Sequence, residues 1–171
     1  MQAIYNIAEI CSKHGIEDAI LSPGSRCAPL SIAFANHPSI QCKSIIDERS
    51  AAFIAMGIAQ QKNKAVVLIC TSGTAALNYY PAIAEAFYQG IPLIILTADR
   101  PAEWIDQQDG QAIRQNNLYS NHIKKSWTLP SEYNFKESSW HIERVVSEAI
   151  LTAEDMLKGC LLYTSPSPRD S

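Results

Sequence analysis

Two uninterrupted apolar runs, AVVLIC at Ala65–Cys70 and PLIILTA at Pro92–Ala98, constrain the fold of this chain more than any other feature. Each has the length of one strand, and neither alternates with polar residues. A strand apolar at every position is covered on both faces, the condition met by parallel sheets in α/β proteins. Between the two runs, Ala75–Tyr88 reads as a helix stopped by Gly90. Strand, helix and strand in that order predict a parallel pair joined by a right-handed crossover.

The alternation extends in both directions. Ile4, Ile7, Ala8 and Cys11 recur at helical spacing and predict a first helix from about Gln2 to His14. Asp18–Ser22 follows as a short strand, Pro29–Asn36 as a helix, Ile40–Ile46 as a second strand, and an Ala-rich helix runs on to Gln61. Beyond the second apolar run, Asp106–Asn121 is polar, without a clear period, and reads as a long loop with a short helical piece. Loops of that length in compact domains tend to be functional. Ile123–Leu129 is expected as a fifth strand, and Glu137 or Ser138 through Lys158 as an amphipathic helix. The fold class is therefore α/β, a parallel sheet with helices on both faces.

Composition excludes several function classes. The net charge of -3 argues against a nucleic-acid binder. Ala65–Ala84 carries no charge, but Thr71-Ser72-Gly73-Thr74, Asn78 and Pro81 interrupt it, so no membrane insertion is expected. The start of the chain lacks a basic segment followed by an apolar block, so no signal peptide is indicated. The cysteines are scattered, with no Cys-x-x-Cys pair, as in a reduced, cytoplasmic protein.

In a parallel sheet, ligands bind beyond the carboxyl ends of the strands. The segments leaving those ends are Ser22–Cys27, Asp47–Arg49, Thr71–Thr74 and Ala98–Pro101. No Gly-x-Gly-x-x-Gly, P-loop or Gly-x-Ser-x-Gly pattern occurs among them. Glu48 opens a helix, either as a carboxylate stabilised by the helix N-terminus beside the cap Asp47, or as an acid able to exchange a proton with a heterocycle. Arg26 and Arg100 are surface residues or a site for carboxylates, with Arg114 in the nearby loop. Ser72, Gly73 and Thr74 form either a plain helix start or a row of backbone N–H groups suited to an anion or a ring acceptor. Cys27 follows Arg26 but has no base predicted beside it, which argues against a catalytic thiol.

Five runs, SPGSRCAPL, DERSAAFIAMGIA, TSGTAALNYYPAIAEA, LIILTADRP and GQAIRQ, together resemble one family. It is the 2-succinyl-5-enolpyruvyl-6-hydroxy-3-cyclohexene-1-carboxylate synthases of menaquinone biosynthesis, whose N-terminal domain is matched from about Met1 to Gly159. The resemblance implies a pyrimidine-binding domain of the thiamine-diphosphate superfamily, with Mg2+ or Mn2+ as second cofactor. It implies an active site shared between subunits, hence a homodimer or higher, and isochorismate and 2-oxoglutarate as substrates. Glu48 matches the glutamate that bonds the aminopyrimidine ring and favours its imino tautomer, and Ser72, Gly73 and Thr74 lie beside that ring. Ser25, Arg26, Arg100 and Gln111 match positions lining the isochorismate pocket. The Gly-Asp-Gly…Asn motif that holds the metal and diphosphate in this family is not in the chain.

Cys160–Asp170 changes character and resembles a translated sequencing-library adapter. Residues 1–159 are accordingly expected to be a truncated domain lacking its last strand, with 160–171 as a non-native tail. The competing functions are another thiamine-diphosphate 2-oxoacid decarboxylase, an acetolactate-type carboligase, or a non-catalytic α/β binding module.

Overall fold

The computed structural model describes residues 2–130, 136–155 and 161–166. The element order is α1 (Gln2–Lys13), β1 (Asp18–Leu21), α2 (Ala28–Ala35), β2 (Gln41–Ser44), α3 (Glu48–Lys62), β3 (Val66–Cys70), α4 (Thr74–Asn78), α5 (Tyr80–Gln89), β4 (Leu93–Asp99), α6 (Lys136–Glu154) and β5 (Leu161–Pro166). All strand pairs are parallel, in the order β2-β1-β3-β4-β5.

The two apolar runs form β3 and β4, at the centre of the sheet. Their side chains divide by parity between two cores, since successive residues of a strand face opposite ways. Val67, Ile69, Ile94, Leu96 and Ala98 pack with α1, α2 and α6. Val66, Leu68, Cys70, Leu93 and Ile95 pack against the small residues of α3, α4 and α5, among them Ala51, Ala55, Ala59 and Ala86. Burying one such Leu or Ile contributes roughly 1.5–3 kcal/mol. A one-residue slip of either strand would exchange its two sets of side chains.

Two expectations are corrected. Ala75–Tyr88 is two helices, broken at Tyr79. Pro81 lacks the N–H that would continue the ladder back to Leu77 and starts a new helix in its first turn. Ile123–Leu129 forms no strand. Ile123 and Leu129 are buried, but Lys124 turns away, donating to the carbonyls of Thr152 at 2.8 Å, Ala153 at 3.0 Å and Asp155 at 2.7 Å at the end of α6. A fifth strand, Leu161–Pro166, within the segment read from the sequence as a tail, lies along β4, from Ile94↔Leu161 to Asp99↔Pro166. An edge strand presents unpaired N–H and C=O groups, and the backbone of any extended segment within reach satisfies them. The expected boundary at Gly159, the end of the last helix at Lys158 and residues 167–171 lie outside the described residues. Among those described, no helix is long and apolar enough to cross a membrane.

Strand order 2-1-3-4-5 places the chain reversal between β1 and β3. At such a point the loops after the two strands diverge to opposite faces and open a crevice at their carboxyl ends.

Candidate active site

The loop after β1 and the loop after β3 touch across this crevice. A side chain on Gly24 would place its Cβ 2.4 Å from Cβ of Thr71, so only glycine lets the two loops approach so closely. Tyr79, buried beneath them, donates to Ile69 O at 2.9 Å, and its oxygen lies 3.3 Å from Ser22 Oγ, whose hydroxyl is free to donate to it. Burial pushes the Tyr79 hydroxyl well above its ordinary range, so it stays a neutral donor.

Asp47 caps α3 from extended backbone, its Oδ2 accepting from Ser50 N at 3.0 Å and from the Ser50 hydroxyl. Those bonds from Ser50 hold the Asp47 carboxyl below its usual range. With capping done by Asp47, the half-buried Glu48 is spare, and its carboxylate accepts no hydrogen bond among the described residues. Its charge reaches Cys27 and Cys70, adding to the burial that raises both thiols. Cys27 is therefore an inert thiol bonded to Ser22 O and Gly24 O.

The turn after β3 does not present a free row of N–H groups. Gly73, at φ 82° and ψ -142°, donates its N–H to Gln115 Oε1 at 2.7 Å. Ser72 is buried and donates its hydroxyl to Gln111 O at 2.8 Å. Thr74 is exposed, and α4 is a single short turn. The turn serves as a seat for the long loop.

That loop reaches three strand ends. At β1, Arg26 Nη1 donates to Gln111 Oε1 at 2.8 Å. At β3 it meets Ser72 and Gly73 as described. At β4, Arg100 Nη2 donates to Gly110 O at 3.3 Å and pairs with Asp109 Oδ2 at 2.5 Å. Gln115 Nε2 donates to Ala98 O at 2.9 Å and approaches Thr97 Oγ1 at 3.4 Å. The structure thus gathers Arg26, Ser72, Gly73, Arg100 and Gln111 around one loop. Ser25 sits beside them, exposed in the β1 loop. Arg114 does not join: it is 80% exposed and held in two-pronged fashion by Asp106 of its own loop.

Three contributors had no flag in the sequence. Gln115 is 1% exposed and ties the loop to β3 and β4. Its only signal was a second Gln at the end of GQAIRQ. Asp109 sits just before that motif. Asp99, beside Arg100, has its carboxyl pushed up to about 6 by burial, against a hydrogen bond from Arg100 N that lowers it.

A family pattern described as "Thiamine pyrophosphate enzyme, N-terminal TPP binding domain" matches residues 1–120. The chain belongs to that family. Among curated relatives of this TPP binding domain is the 2-succinyl-5-enolpyruvyl-6-hydroxy-3-cyclohexene-1-carboxylate synthase of Cytophaga hutchinsonii, 56% identical over 93% of the chain and 28% of the relative. The synthase of the same name from Flavobacterium johnsoniae is 53% identical over 85% of the chain and 26% of the relative. That from Desulfotalea psychrophila is 50% identical over 89% and 28%. The chain thus spans little more than a quarter of the length of the relatives it matches.

The residues of the TPP binding domain fit one half of thiamine diphosphate. Glu48 supplies a half-buried carboxylate, unbonded among the described residues, at the ligand edge of the sheet, where a ring nitrogen can bond it. Among the described residues no group of three or more His, Cys, Asp or Glu could hold a metal ion.

Proposed function

We propose that this chain is the N-terminal part of a thiamine-diphosphate-dependent synthase, a transferase. The reaction is loss of CO2 from 2-oxoglutarate and addition of the remaining four-carbon unit to isochorismate, giving 2-succinyl-5-enolpyruvyl-6-hydroxy-3-cyclohexene-1-carboxylate. The observation that carries this reading is the convergence of Arg26 and Arg100 on one loop through Gln111, Gly110 and Asp109, at the same carboxyl edge of the sheet from which Glu48 emerges after β2. Two guanidinium groups at one edge suit a substrate bearing two carboxylates, because each can make paired bonds to one.

When bound, thiamine diphosphate supplies the electron sink for decarboxylation. Glu48 holds a proton at the pyrimidine ring, and Ser72–Thr74 form the wall beside it. Arg26, Arg100, Ser25 and Gln111 bind and orient isochorismate. Mg2+ or Mn2+ and the diphosphate belong to a part of the enzyme outside this chain, and the working unit is a homodimer or larger. Unpaired Cys11, Cys27, Cys42 and Cys70 agree with a cytoplasmic setting.

The test is made in a full-length synthase carrying this segment. Glu48→Gln is expected to lower carboligation at saturating cofactor by about a hundredfold or more. Arg26→Ala and Arg100→Ala are expected to raise KM for isochorismate while cofactor binding survives. Unchanged turnover in Glu48→Gln would remove its assigned role, and equal loss of cofactor and substrate binding in the arginine variants would point to misfolding.

A further inference from the structure

The carboxylate of Asp109 stands on Arg100 as a bound substrate carboxylate would. The two side chains are 18% and 25% exposed and meet at 2.5 Å, far less solvated than the Arg114–Asp106 pair of the same loop. Asp109 is not tightly held from behind: among the described residues its Oδ1 accepts only the N–H of the adjacent Gly110, at 3.0 Å. Arg100 is not saturated either. Its Nη2 reaches Gly110 O at 3.3 Å, and its buried Nε has no acceptor among the described residues. Asp109 Oδ2, though ion-paired, makes no hydrogen bond among the described residues either. A guanidinium has five donors in a fixed fork, and a carboxylate able to approach along the Nε side could form the aligned bonds that Asp109 leaves unmade.

The neighbouring cation is engaged in the same way. Gln111, two residues on, gives Oε1 to Arg26 Nη1. One short segment therefore lays an internal oxygen against each of the two arginines, in an ion pair at Arg100 and a hydrogen bond at Arg26. It does so from a costly backbone: Asp106, Gln108 and Gln111 all have positive φ, at 64°, 59° and 57°. Non-glycine residues adopt that conformation only when surrounding contacts hold them there.

We propose that Asp109 is an internal carboxylate that competes with a substrate carboxylate for Arg100 and so sets the affinity of the site. The proposal deepens the functional reading above and rests on it. An ion pair that holds Arg100 about four-fifths of the time leaves one-fifth of the molecules competent and weakens apparent binding about fivefold.

The experiment is equilibrium binding of isochorismate to the full-length synthase carrying this segment, with 2-oxoglutarate omitted. Asp109→Asn keeps the shape and removes the charge, and Asp109→Ala removes the group. Both are expected to lower Kd for isochorismate, and KM with it, about fivefold. Arg100→Ala is measured beside them, with thermal melting as the check on folding. If Arg100→Ala loses isochorismate affinity while both Asp109 variants fold and leave Kd unchanged, the competition is refuted and the site assignment stands. If both Asp109 variants raise Kd, Asp109 positions Arg100 for the substrate, which also overturns the proposal. If Arg100→Ala itself leaves Kd unchanged, the functional reading fails first, and this inference with it.

Discussion

Replacing Gly73 by Ala tests whether the long loop is seated on the β3 turn as described. Two costs add. At φ 82° and ψ -142° the backbone lies in a region open almost only to glycine, and an L-residue there costs about 1–3 kcal/mol. The new Cβ would also lie 2.8 Å from the C, Cα and O atoms of Gln111. These are backbone atoms, so the loop must move rather than a side chain rotate. Movement breaks the bonds from Ser72 Oγ to Gln111 O and from Gly73 N to Gln115 Oε1, each worth about 1 kcal/mol net. The sum is about 3–5 kcal/mol, a large share of the 5–15 kcal/mol typical of a whole domain. Urea unfolding of the chain followed by circular dichroism reads it directly. Gly57→Ala is the internal control: Gly57 lies inside α3 with nothing within 4 Å of a Cβ, so Ala there should stabilise by about 0.5–1 kcal/mol. A Gly73→Ala chain within 0.5 kcal/mol of the parent, alongside a normal Gly57→Ala, would refute the seated loop.

Gln115→Leu should cost about 2–3 kcal/mol in the same assay, because it leaves the buried Gly73 N–H without its acceptor and Ala98 O without its donor. Asp99 contributes a pH dependence of known sign. Its folded pKa of about 6 lies above the ordinary 3.8, so the folded state binds the proton more tightly and stability falls as pH rises between those values. Asp99→Asn should therefore raise the melting temperature at pH 7.5 and leave it unchanged below pH 4. Partial exposure reduces the gain to on the order of 1 kcal/mol. An equal change at both pH values would show that the carboxylate's charge is not the cause.

The frame of this fold is legible in the sequence because it rests on local pattern. The continuous apolar runs predict β3 and β4, and helical spacing of Ile4, Ile7, Ala8 and Cys11 predicts the face that α1 buries. Ile123–Leu129 misleads because a short run with buried ends resembles a strand until Lys124 is seen reaching α6. The site is legible only in part. Arg26, Arg100 and Gln111 stand in recognisable motifs, and the structure brings them to one loop. Gln115 and Asp109 escape notice because a buried amide or a carboxylate over a guanidinium has no period and no fixed spacing. Their roles exist only once β1, β3 and β4 have brought distant segments together.

The two cores differ in when they can close. Every buried member of the core beneath α3, α4 and α5 lies between Ile20 and Ile123. The opposite core takes in Ala3 and Ile4 at one end of the chain and Ile150 and Ala153 near the other. A chain emerging from the ribosome can complete the first while the outer faces of Val67, Ile69, Ile94 and Leu96 still await α6. During that interval an apolar sheet surface stands open to solvent. Slow emergence of residues 124–154 from the ribosome would lengthen this exposure, which ends as Ile142, Val145 and Ala149 arrive.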